Sequence, residues 1–349
     1  MGFTKNEEIT YQNVIQREPR PTFFDETEFS RLREERFLVT GAGGSIGSRV
    51  VSLLATIPGI KFLATDRDES ALHSLSLSLT KTALFETDSY QLLDIRDQDG
   101  IHACLENFRP TTIIHAAALK HLSVLERQPR EAVLTNIFGT ANLLETAISH
   151  NVRSFVNIST DKAATPSSVL GMSKYIAEIY TSDIRQTKGL GYTNCRFGNV
   201  FNSRGSVIET FVSQIQSGSP ITLTDEGVTR FFMHVDEAAF LTIKSFLINH
   251  SDVHVFDMGK PVQLKAVVQN LQTILGGSSA VLITGLRPGE KLHEILIDEN
   301  TSFSETVHPH ISAVSLGDIR EKHGDLIELV RSRNEKKLTE YLKEINLGI

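Results

Sequence analysis

The sequence predicts an α/β protein built on a doubly wound parallel sheet, with a smaller C-terminal lobe. Short apolar runs alternate with segments of helical spacing as far as about residue 198, which is typical of a parallel sheet covered by helices on both faces. Glycines spaced three residues apart stand where the first apolar run meets the first helical segment. Beyond residue 198 turn residues become frequent and the alternation less regular, which predicts a lobe interleaved with the sheet.

Composition and charge exclude several classes of protein. The 349 residues are 40% hydrophobic and 22% charged, with a net charge of −7, so no basic excess is present to neutralise the phosphates of a nucleic acid. Cys104 and Cys195 cannot form a disulfide framework or a four-ligand zinc site, and we expect two buried, reduced thiols and no metal. Without a signal peptide or an apolar run near the ~20 residues of a membrane span, we expect a soluble, cytoplasmic protein.

The predicted elements divide the chain into three parts. Strands are predicted over residues 36–40, 60–65, 89–93, 111–115, 154–158 and 192–197, and helices over 45–56, 136–150, 173–185 and 325–345. Residues 1–35 are polar and charged, and we expect this extension to wrap the surface or to contribute to a subunit contact. A nucleotide-binding domain is predicted over 36–198, and a mainly substrate-binding lobe over 199–349.

The strongest local signal is the glycine-rich turn after the first strand. Gly41 allows the tight turn, Gly44 lets the backbone approach a pyrophosphate, and Gly47 lets the helix pack closely on the strand. The N-terminus of the helix presents N–H groups and a partial positive charge to the phosphates. Asp66 follows Gly47 by 19 positions, at the end of the second strand. This combination predicts the opening unit of a Rossmann-type dinucleotide-binding domain.

The cofactor prediction is NAD, with NADP left open. Asp66 suits the free ribose hydroxyls of NAD, whereas Arg67 beside it could pair with the 2′-phosphate of NADP. Asp94 and Ile95, at the end of the third strand, are placed to meet the adenine. The predicted cofactor-binding residues are Gly41, Gly43, Gly44, Ser45, Ile46, Gly47, Asp66, Arg67, Asp94, Ile95, Ala116, Ala117, Ala118, Asn136 and Lys174.

The long helix carries Lys174, which follows Leu170 by four residues. Short-chain dehydrogenases have a Tyr at that earlier position, where it exchanges a proton with the substrate. Their Lys holds the nicotinamide ribose and lowers the pKa of the Tyr. None of the six tyrosines of this chain precedes a lysine by four residues, which argues against a simple alcohol dehydrogenase.

Five segments together resemble one family, the nucleotide-sugar 4,6-dehydratases of bacterial surface polysaccharide and glycan biosynthesis. These CapD-like and FlaA-like enzymes act on UDP-N-acetylglucosamine. The segments are residues 40–47 (TGAGGSIG), 115–121 (HAAALKH), 159–163 (STDKA), 196–200 (RFGNV) and 286–292 (LRPGEKL). The resemblance extends from about residue 10 to residue 315, and the chain resembles the short soluble form rather than relatives with a membrane-spanning N-terminal region.

The resemblance implies both a reaction and its residues. The C4 of the sugar would be oxidised by hydride transfer to NAD⁺, the C5 proton and the 6-hydroxyl would leave as water, and the hydride would return to C6. Asp161 would be the acid for the 6-hydroxyl, Lys162 the base for C5, and Thr160 a hydrogen-bond donor to the 4-oxygen, while Lys174 would hold the nicotinamide ribose. The membrane-linked branch of the family has Met in place of the catalytic Tyr. Leu170 departs from both patterns and leaves open which group removes the 4-hydroxyl proton.

The substrate side implied by the resemblance is a UDP-sugar site. Lys120 and His121 would lie near the sugar and its N-acetyl group, and Glu290 would accept from the nucleotide ribose. Residues 202–207 and three arginines would bracket the diphosphate, and two threonines would lie near the uracil. The implied substrate-binding residues are Lys120, His121, Asn199, Arg204, Gly205, Ser206, Val207, Thr222, Thr224, Arg230, Arg287 and Glu290. The resemblance also implies a homo-oligomer.

Two other functions stay open on the sequence. One is a C4 or C5 epimerase of the same fold, although the missing Tyr and the adjacent Asp161 and Lys162 count against a simple 4-epimerase. The other is a non-catalytic NAD(P)-binding regulatory protein. Leu170 keeps that alternative open, because it interrupts the usual proton path.

Overall fold

A nine-stranded sheet forms the centre of the computed structural model, which describes residues 9–82, 88–248, 251–299 and 301–344. The strands are β1 Arg36–Thr40, β2 Lys61–Asp66, β3 Tyr90–Leu92, β4 Thr112–His115, β5 Ser154–Ile158, β6 Gly191–Arg196, β7 Asn199–Val200, β8 Ile221–Leu223, β9 Thr229–Arg230, β10 Phe232–Met233, β11 Val253–Phe256, β12 Val262–Gln263, β13 Val281–Ile283, β14 Phe303–Glu305 and β15 Ile311–Val314. The helices are α1 Tyr11–Ile15, α2 Glu26–Arg33, α3 Ser45–Ala55, α4 Glu69–Thr80, α5 Gln98–Phe108, α6 Leu122–Arg127, α7 Pro129–Ala132, α8 Thr140–Ser149, α9 Val169–Lys188, α10 Val207–Gln216, α11 Val235–Leu247, α12 Leu264–Leu275, α13 Ile319–Arg331 and α14 Glu335–Glu344.

The order of the strands creates a crevice at the middle of the sheet. The order is β14-β15-β11-β6-β5-β4-β1-β2-β3, and the strands from β3 to β11 run parallel while β15 and β14 are antiparallel to their neighbours. The chain moves outward from β1 in one direction and from β4 in the other. Thr40 pairs with His115 where these two strands end. The predicted Rossmann-type doubly wound sheet is confirmed, and its switch point, where such folds bind ligands, lies beyond Thr40 and His115.

Helices cover both faces of the sheet because the strands are apolar on both sides. In β1, Leu38 packs into a core that includes residues of α5, α8 and α9. Its neighbours Phe37 and Val39 point the other way, into a core with α3 and α11. Alternate residues of a strand face opposite sides, so this single short strand contributes to both hydrophobic layers.

A third core lies away from the sheet and holds α1 against later parts of the chain. Tyr11 and Val14 of α1 are buried with Phe211 of α10 and Leu271 of α12. The Tyr11 hydroxyl donates to the Phe232 carbonyl at 3.0 Å. The chain beyond residue 198 therefore contributes both to this core and, through α11, β11 and β15, to the central sheet. The predicted boundaries at residues 35 and 198 stay predictions.

The C-terminal prediction was wrong in one respect. The expected single helix over 325–345 is two helices, α13 and α14, separated at Arg333, whose φ of 52° lies in the left-handed region that ends a helix. Asn334 then begins α14 by accepting from Lys337 N at 3.1 Å. Residue 345 lies outside the described residues. No helix in the described part of the chain is long and apolar enough to cross a membrane.

Candidate active site

The glycine turn after β1 is packed so tightly that it requires glycine at two positions. Gly41 has a φ of +68°, and a Cβ there would stand 2.5 Å from Ala117 N. A Cβ on Gly47 would stand 2.2 Å from the Gly41 carbonyl oxygen. Gly44, the N-cap of α3, has no side-chain cap, and a Cβ there would approach only the Gly41 oxygen, at 3.1 Å. The first N–H groups of α3 are therefore free to receive a phosphate that approaches closely.

The predicted adenosine side lies in one cavity beside this turn. Asp66 Oδ2 accepts from Gly43 N at 2.9 Å, so the carboxylate at the end of β2 also braces the turn. The carboxylate of Asp94 accepts from Arg96 N at 2.9 Å. Burial raises the pKa of Asp94, but the hydrogen bonds and the charge of Arg96 more than offset this, and the pKa is lowered overall. The cavity is lined by Gly41, Gly44, Asp66, Arg67, Leu93, Asp94, Ile95, Ala116, Ala117, Ala118, Leu119 and Thr135.

Asn136 lies one layer behind this cavity. Its side chain is fully buried. Its amide oxygen accepts from Leu119 N at 2.8 Å, and its amide nitrogen donates to Leu119 O and to Ser173 Oγ, each at 3.0 Å. Asn136 therefore holds the loop after β4 against α9, and its neighbour Thr135 lines the cavity. Cofactor binding by Asn136 itself stays a prediction.

Asp161, which is buried, and Lys162, which is half-buried, form an ion pair just beyond the end of β5. Thr160 caps the short 3₁₀ turn Asp161–Ala163. Asp161 Oδ1 accepts from Thr160 Oγ1 and from Lys162 Nζ, each at 2.9 Å, and the Asp161 side chain is fully buried. Asp161 Oδ2 is buried and has no hydrogen-bond partner in the described part of the chain. A buried carboxylate oxygen without a partner is suited to exchange a proton or a hydrogen bond with a substrate hydroxyl.

Lys162 also lies 3.5 Å from Glu294 Oε1. Burial lowers the pKa of Lys162, but the carboxylates of Asp161 and Glu294 more than offset this effect, and the pKa is raised overall. The pair therefore carries a proton near neutral pH. That proton can move between Lys162 Nζ and Asp161 Oδ1 along their hydrogen bond without any change in net charge.

Lys174 and Leu170 occupy the first turns of α9. Lys174 is buried, with only 4% of its surface exposed. Burial lowers the pKa of Lys174 to about 8, and the carboxylate of Glu178 opposes this only in part. Glu178 is itself paired with Arg196, with 2.8 Å between Arg196 Nε and Glu178 Oε1. Leu170 is buried in the apolar core and can neither donate nor accept a proton.

The first group of predicted substrate residues joins the glycine turn to the lobe. Lys120 Nζ donates to the Arg204 carbonyl at 2.5 Å, and Arg204 N donates to Ser45 Oγ at 3.0 Å. A Cβ on Gly205 would stand 2.7 Å from His121 Cε1, so the imidazole of His121 lies against this backbone. The guanidinium of Arg204 is exposed and faces Asp68, 3.7 Å away, on the cofactor side. Ser206 caps α10, which begins at the next predicted residue, Val207.

A second group centres on Glu290. Its carboxylate accepts from Thr224 Oγ1 at 3.2 Å, from Arg230 at 3.0 Å and from Arg287 N at 3.3 Å. Arg230 is buried, whereas the side chain of Arg287 is exposed. These predicted residues therefore meet in one place.

Two further predicted substrate residues lie outside both groups. Thr222 is engaged with Gln214, whose Nε2 donates to the threonine hydroxyl at 2.9 Å. Asn199 is half-buried in β7 and pairs with Phe232.

Comparison with known proteins places this geometry in a family. The polysaccharide biosynthesis protein family matches residues 37–316. The chain belongs to this family. It is 36% identical over 310 residues to the probable polysaccharide biosynthesis protein EpsC of Bacillus subtilis, covering 86% of this chain and 51% of EpsC. It is also 36% identical over 327 residues to the capsular polysaccharide biosynthesis protein CapD of Staphylococcus aureus, covering 91% of this chain and 55% of CapD. This family member thus spans about half the length of these two curated relatives.

Shorter relatives match over more of their length. The UDP-N-acetylglucosamine 4,6-dehydratase (inverting) of Campylobacter jejuni is 30% identical over 273 residues, covering 77% of this chain and 79% of that protein. The X-ray structure of Pen from Bacillus thuringiensis matches with a TM-score of 0.72 and 30% identity over 80% of this chain and 89% of that one. The Thermus thermophilus UDP-glucose 4-epimerase in complex with NAD matches with a TM-score of 0.66 and 25% identity over 75% and 90%. Nucleotide-sugar dehydratases and epimerases are both relatives of this family member.

Sequence reasoning missed two features of the site. Glu294 lies beside Lys162 although the two residues are far apart in the chain. Glu178 and Arg196 form a buried pair behind Lys174. Glu294 stands two residues after the segment 286–292, but nothing in that spacing indicates a contact with Lys162. Both cysteines are buried and free, as expected.

Proposed function

We propose that this chain is a UDP-N-acetylhexosamine 4,6-dehydratase that forms a 4-keto-6-deoxy nucleotide sugar. The observation that carries the proposal is the pair formed by buried Asp161 and half-buried Lys162, an acid and a base 2.9 Å apart beyond the carboxyl end of a parallel strand. The position of the usual catalytic Tyr is held by the apolar Leu170. An acid and a base at one point suit the removal of water better than an alcohol oxidation alone.

NAD fits the residues at the switch point. The open N-terminus of α3, the glycine cradle and the carboxylate of Asp66 match a pyrophosphate and a free ribose hydroxyl. Bound NAD would supply hydride transfer from C4 to C6. Lys174 holds the nicotinamide ribose. Arg67 lines the same cavity, so NADP stays the alternative.

The dehydration step balances on the shared proton of the pair. With the proton on Asp161, neutral Lys162 takes the proton from C5, which the 4-ketone has acidified. The electrons of the C5–H bond form the C5–C6 double bond as the bond from C6 to oxygen breaks. Asp161 gives its proton to the departing hydroxyl, which leaves as water. Asp161 is then a carboxylate and Lys162 an ammonium, the same ion pair that the free enzyme holds. Lys162 gives a proton that has exchanged with the solvent back to C5 as C6 receives the hydride. The proton released from the 4-hydroxyl during oxidation replaces it on the pair.

The two groups of polar residues on the lobe suit a nucleoside diphosphate. Lys120, His121 and the loop at Arg204 lie next to the glycine turn and contact the sugar and the diphosphate. Thr224, Arg230 and Glu290 meet at a second point on the lobe, where Thr224 and Glu290 contact the uridine and Arg230 contacts the diphosphate. A homo-oligomer and a cytoplasmic location stay predictions.

Epimerisation is the second candidate, because a UDP-glucose 4-epimerase shares the fold at 25% identity. A simple 4-epimerase needs a group that removes and returns the proton of the 4-hydroxyl, and Leu170 cannot do so. Its sugar also keeps its 6-hydroxyl, so the acid at Asp161 would have no leaving group. The two candidates therefore differ in whether water is lost.

The test is incubation of the full chain with NAD and UDP-N-acetylglucosamine in deuterated water, followed by mass spectrometry and NMR. The dehydratase predicts loss of one water with deuterium at C5, and the coupling at C5 distinguishes retention from inversion. An isomer of unchanged elemental composition would indicate the epimerase. An unchanged sugar with every UDP-hexosamine tried, despite stoichiometric bound cofactor, would overturn the proposal in favour of a non-catalytic protein.

A further inference from the structure

Glu294 lies beside the ammonium group of Lys162 although the two belong to distant segments. Glu294 Oε1 is 3.5 Å from Lys162 Nζ, and the Glu294 side chain is only 2% exposed. The second oxygen, Oε2, is buried and has no hydrogen-bond partner among the described residues. A buried carboxylate with so few hydrogen bonds is costly unless a cation balances its charge, and Lys162 stands at ion-pair distance.

The segment that carries Glu294 is fixed to the loop that follows the catalytic pair. Lys291 Nζ donates to the carbonyl and the hydroxyl of Thr165. Ser167 Oγ donates to the Gly289 carbonyl at 3.3 Å. These bonds hold the two segments together independently of the ion pair. The distance between Glu294 and Lys162 is therefore set by the fold.

In the described part of the chain, four charged groups act on Lys162. Asp161 accepts its hydrogen bond at 2.9 Å, and Glu294 lies at 3.5 Å. Arg230 and Lys291 are cations that oppose the two carboxylates. Glu294 thus adds a second negative charge beside Lys162, in addition to that of Asp161. A negative charge near a titrating pair favours retention of the proton that the pair holds.

We propose that Glu294 is a positioning residue that keeps one proton shared between Asp161 and Lys162 at neutral and alkaline pH. The inference rests on the proposed function, because the dehydration needs that proton on Asp161 for the departing 6-hydroxyl. Loss of the proton leaves Lys162 able to take a proton from C5 but leaves Asp161 unable to give one to the 6-oxygen. Glu294 acts through Lys162 and sets the alkaline limit of the reaction.

The first test is the pH profile of dehydration for the wild type and for Glu294→Gln, each with NAD bound. The alkaline midpoint of the profile should fall by about 1 pH unit in the variant, because one nearby negative charge is removed. Glu294→Asp keeps the carboxylate, so its alkaline midpoint should lie close to that of the wild type. A merely structural role would instead lower the rate at every pH and leave the midpoint in place, and that result would overturn the proposal.

The second test needs no substrate. Lysine labelled at Cε and Nζ allows the titration of Lys162 to be followed by NMR, with its signal assigned by its absence in Lys162→Met. Glu294→Gln should lower this midpoint by about 1 pH unit. An unchanged midpoint would overturn the proposal whether or not a UDP-sugar is turned over. Failure of the wild type on every UDP-sugar, with the lysine midpoint shifted, would refute the proposed function and leave the electrostatic role of Glu294 supported.

Glu237→Gln is the matched control. The Glu237 side chain is also 2% exposed and is paired with Arg17 and Arg20, far from Lys162 in the chain. The control variant should be less stable than the wild type, with both midpoints unchanged. Equal shifts in the two variants would show that any buried carboxylate has this effect, and the proposal would then fall.

Discussion

Arg196 and Glu178 form an ion pair in which both side chains are buried, with 2.8 Å between Arg196 Nε and Glu178 Oε1. Burial lowers the pKa of Arg196, but the Glu178 carboxylate more than offsets this, so the guanidinium stays charged. The pair joins β6 to α9, the helix that carries Lys174. Its loss would therefore disturb both the stability of the fold and the position of Lys174.

Arg196→Met should lower the free energy of unfolding by roughly 3–5 kcal/mol, because it leaves Glu178 buried without a partner. Urea unfolding at pH 7 measures this. Arg153→Met is the control: its side chain is 65% exposed in an ion pair with Glu35, so the change should stay under ~1 kcal/mol. Similar losses in the two variants would contradict a special contribution from the buried pair.

Gly47→Ala should disrupt the phosphate-binding turn. The new Cβ would stand 2.2 Å from the Gly41 carbonyl oxygen, so α3 must move away from β1. We expect a loss of roughly 1–3 kcal/mol in stability and of most of the bound NAD, measured by unfolding and by release of cofactor from purified protein. Gly324→Ala, where a Cβ would meet nothing within 4 Å, should keep its cofactor. Full NAD occupancy in Gly47→Ala would show that the turn tolerates the shift.

Lys162→Ala should abolish deuterium exchange at C5 and leave NAD bound. The substitution removes the base, and Lys162 is not among the residues that line the cofactor cavity. NMR of the sugar in deuterated water measures the exchange, and cofactor content is measured after denaturation. Lys265→Ala removes an exposed lysine paired with Glu226 and should behave as the wild type. Exchange at the wild-type rate without Lys162 would remove it as the base.

Asp161→Asn should slow the loss of the 6-hydroxyl more than the oxidation at C4. An amide fills the same buried space, but it has no proton to give to the departing oxygen. Reduced nicotinamide should therefore accumulate in a single turnover, where its absorbance reports it. Normal product formation with no such accumulation would contradict the role of Asp161 as the acid.

Local patterns of the sequence predict those parts of the site that are close together in the chain. The spacing of Gly41, Gly44 and Gly47 sufficed for the turn, because each glycine meets atoms of the same strand-turn-helix unit or of the adjacent β4 loop. The roles proposed for Asp161 and Lys162 came from the resemblance of residues 159–163 to the dehydratases, because two adjacent charged residues after a strand also fit a surface ion pair. Contacts set by tertiary packing had no such signal. Glu294 reaches Lys162 only because the segment before it docks on Thr165.

The sequence pattern also failed to predict structural features near both ends of the chain. Residues 1–35 are polar overall, but Tyr11, Val14 and Ile15 complete an apolar core whose other buried members come from the lobe. Three apolar residues in a short helix are too few to give a periodic signal. At the other end, the break at Arg333 depends on a single left-handed residue, which is rarely a non-glycine residue and so was not expected.

Lys174 should make the protein more stable as the pH rises from about 8 towards 10.5. Its pKa is about 8 in the folded protein, against an ordinary value of 10.5, because burial disfavours the ammonium. Between these values the unfolded chain binds a proton that the folded protein has lost, so the free energy of unfolding increases with pH. The full difference is on the order of 3 kcal/mol.

The comparison with Lys174→Met isolates this effect from other titrating groups. Burial raises the pKa of Cys104 to about 11 and that of Cys195 to about 12, so these thiols oppose the gain at alkaline pH in both proteins alike. Urea unfolding at pH 7.5 and at about pH 10 should therefore show a gain in the wild type relative to the variant. Equal pH dependence in both proteins would mean that the Lys174 ammonium is not destabilised by burial. Lys174 would then keep its positive charge up to its ordinary pKa of 10.5, and we expect it to bind the nicotinamide ribose as an ammonium group.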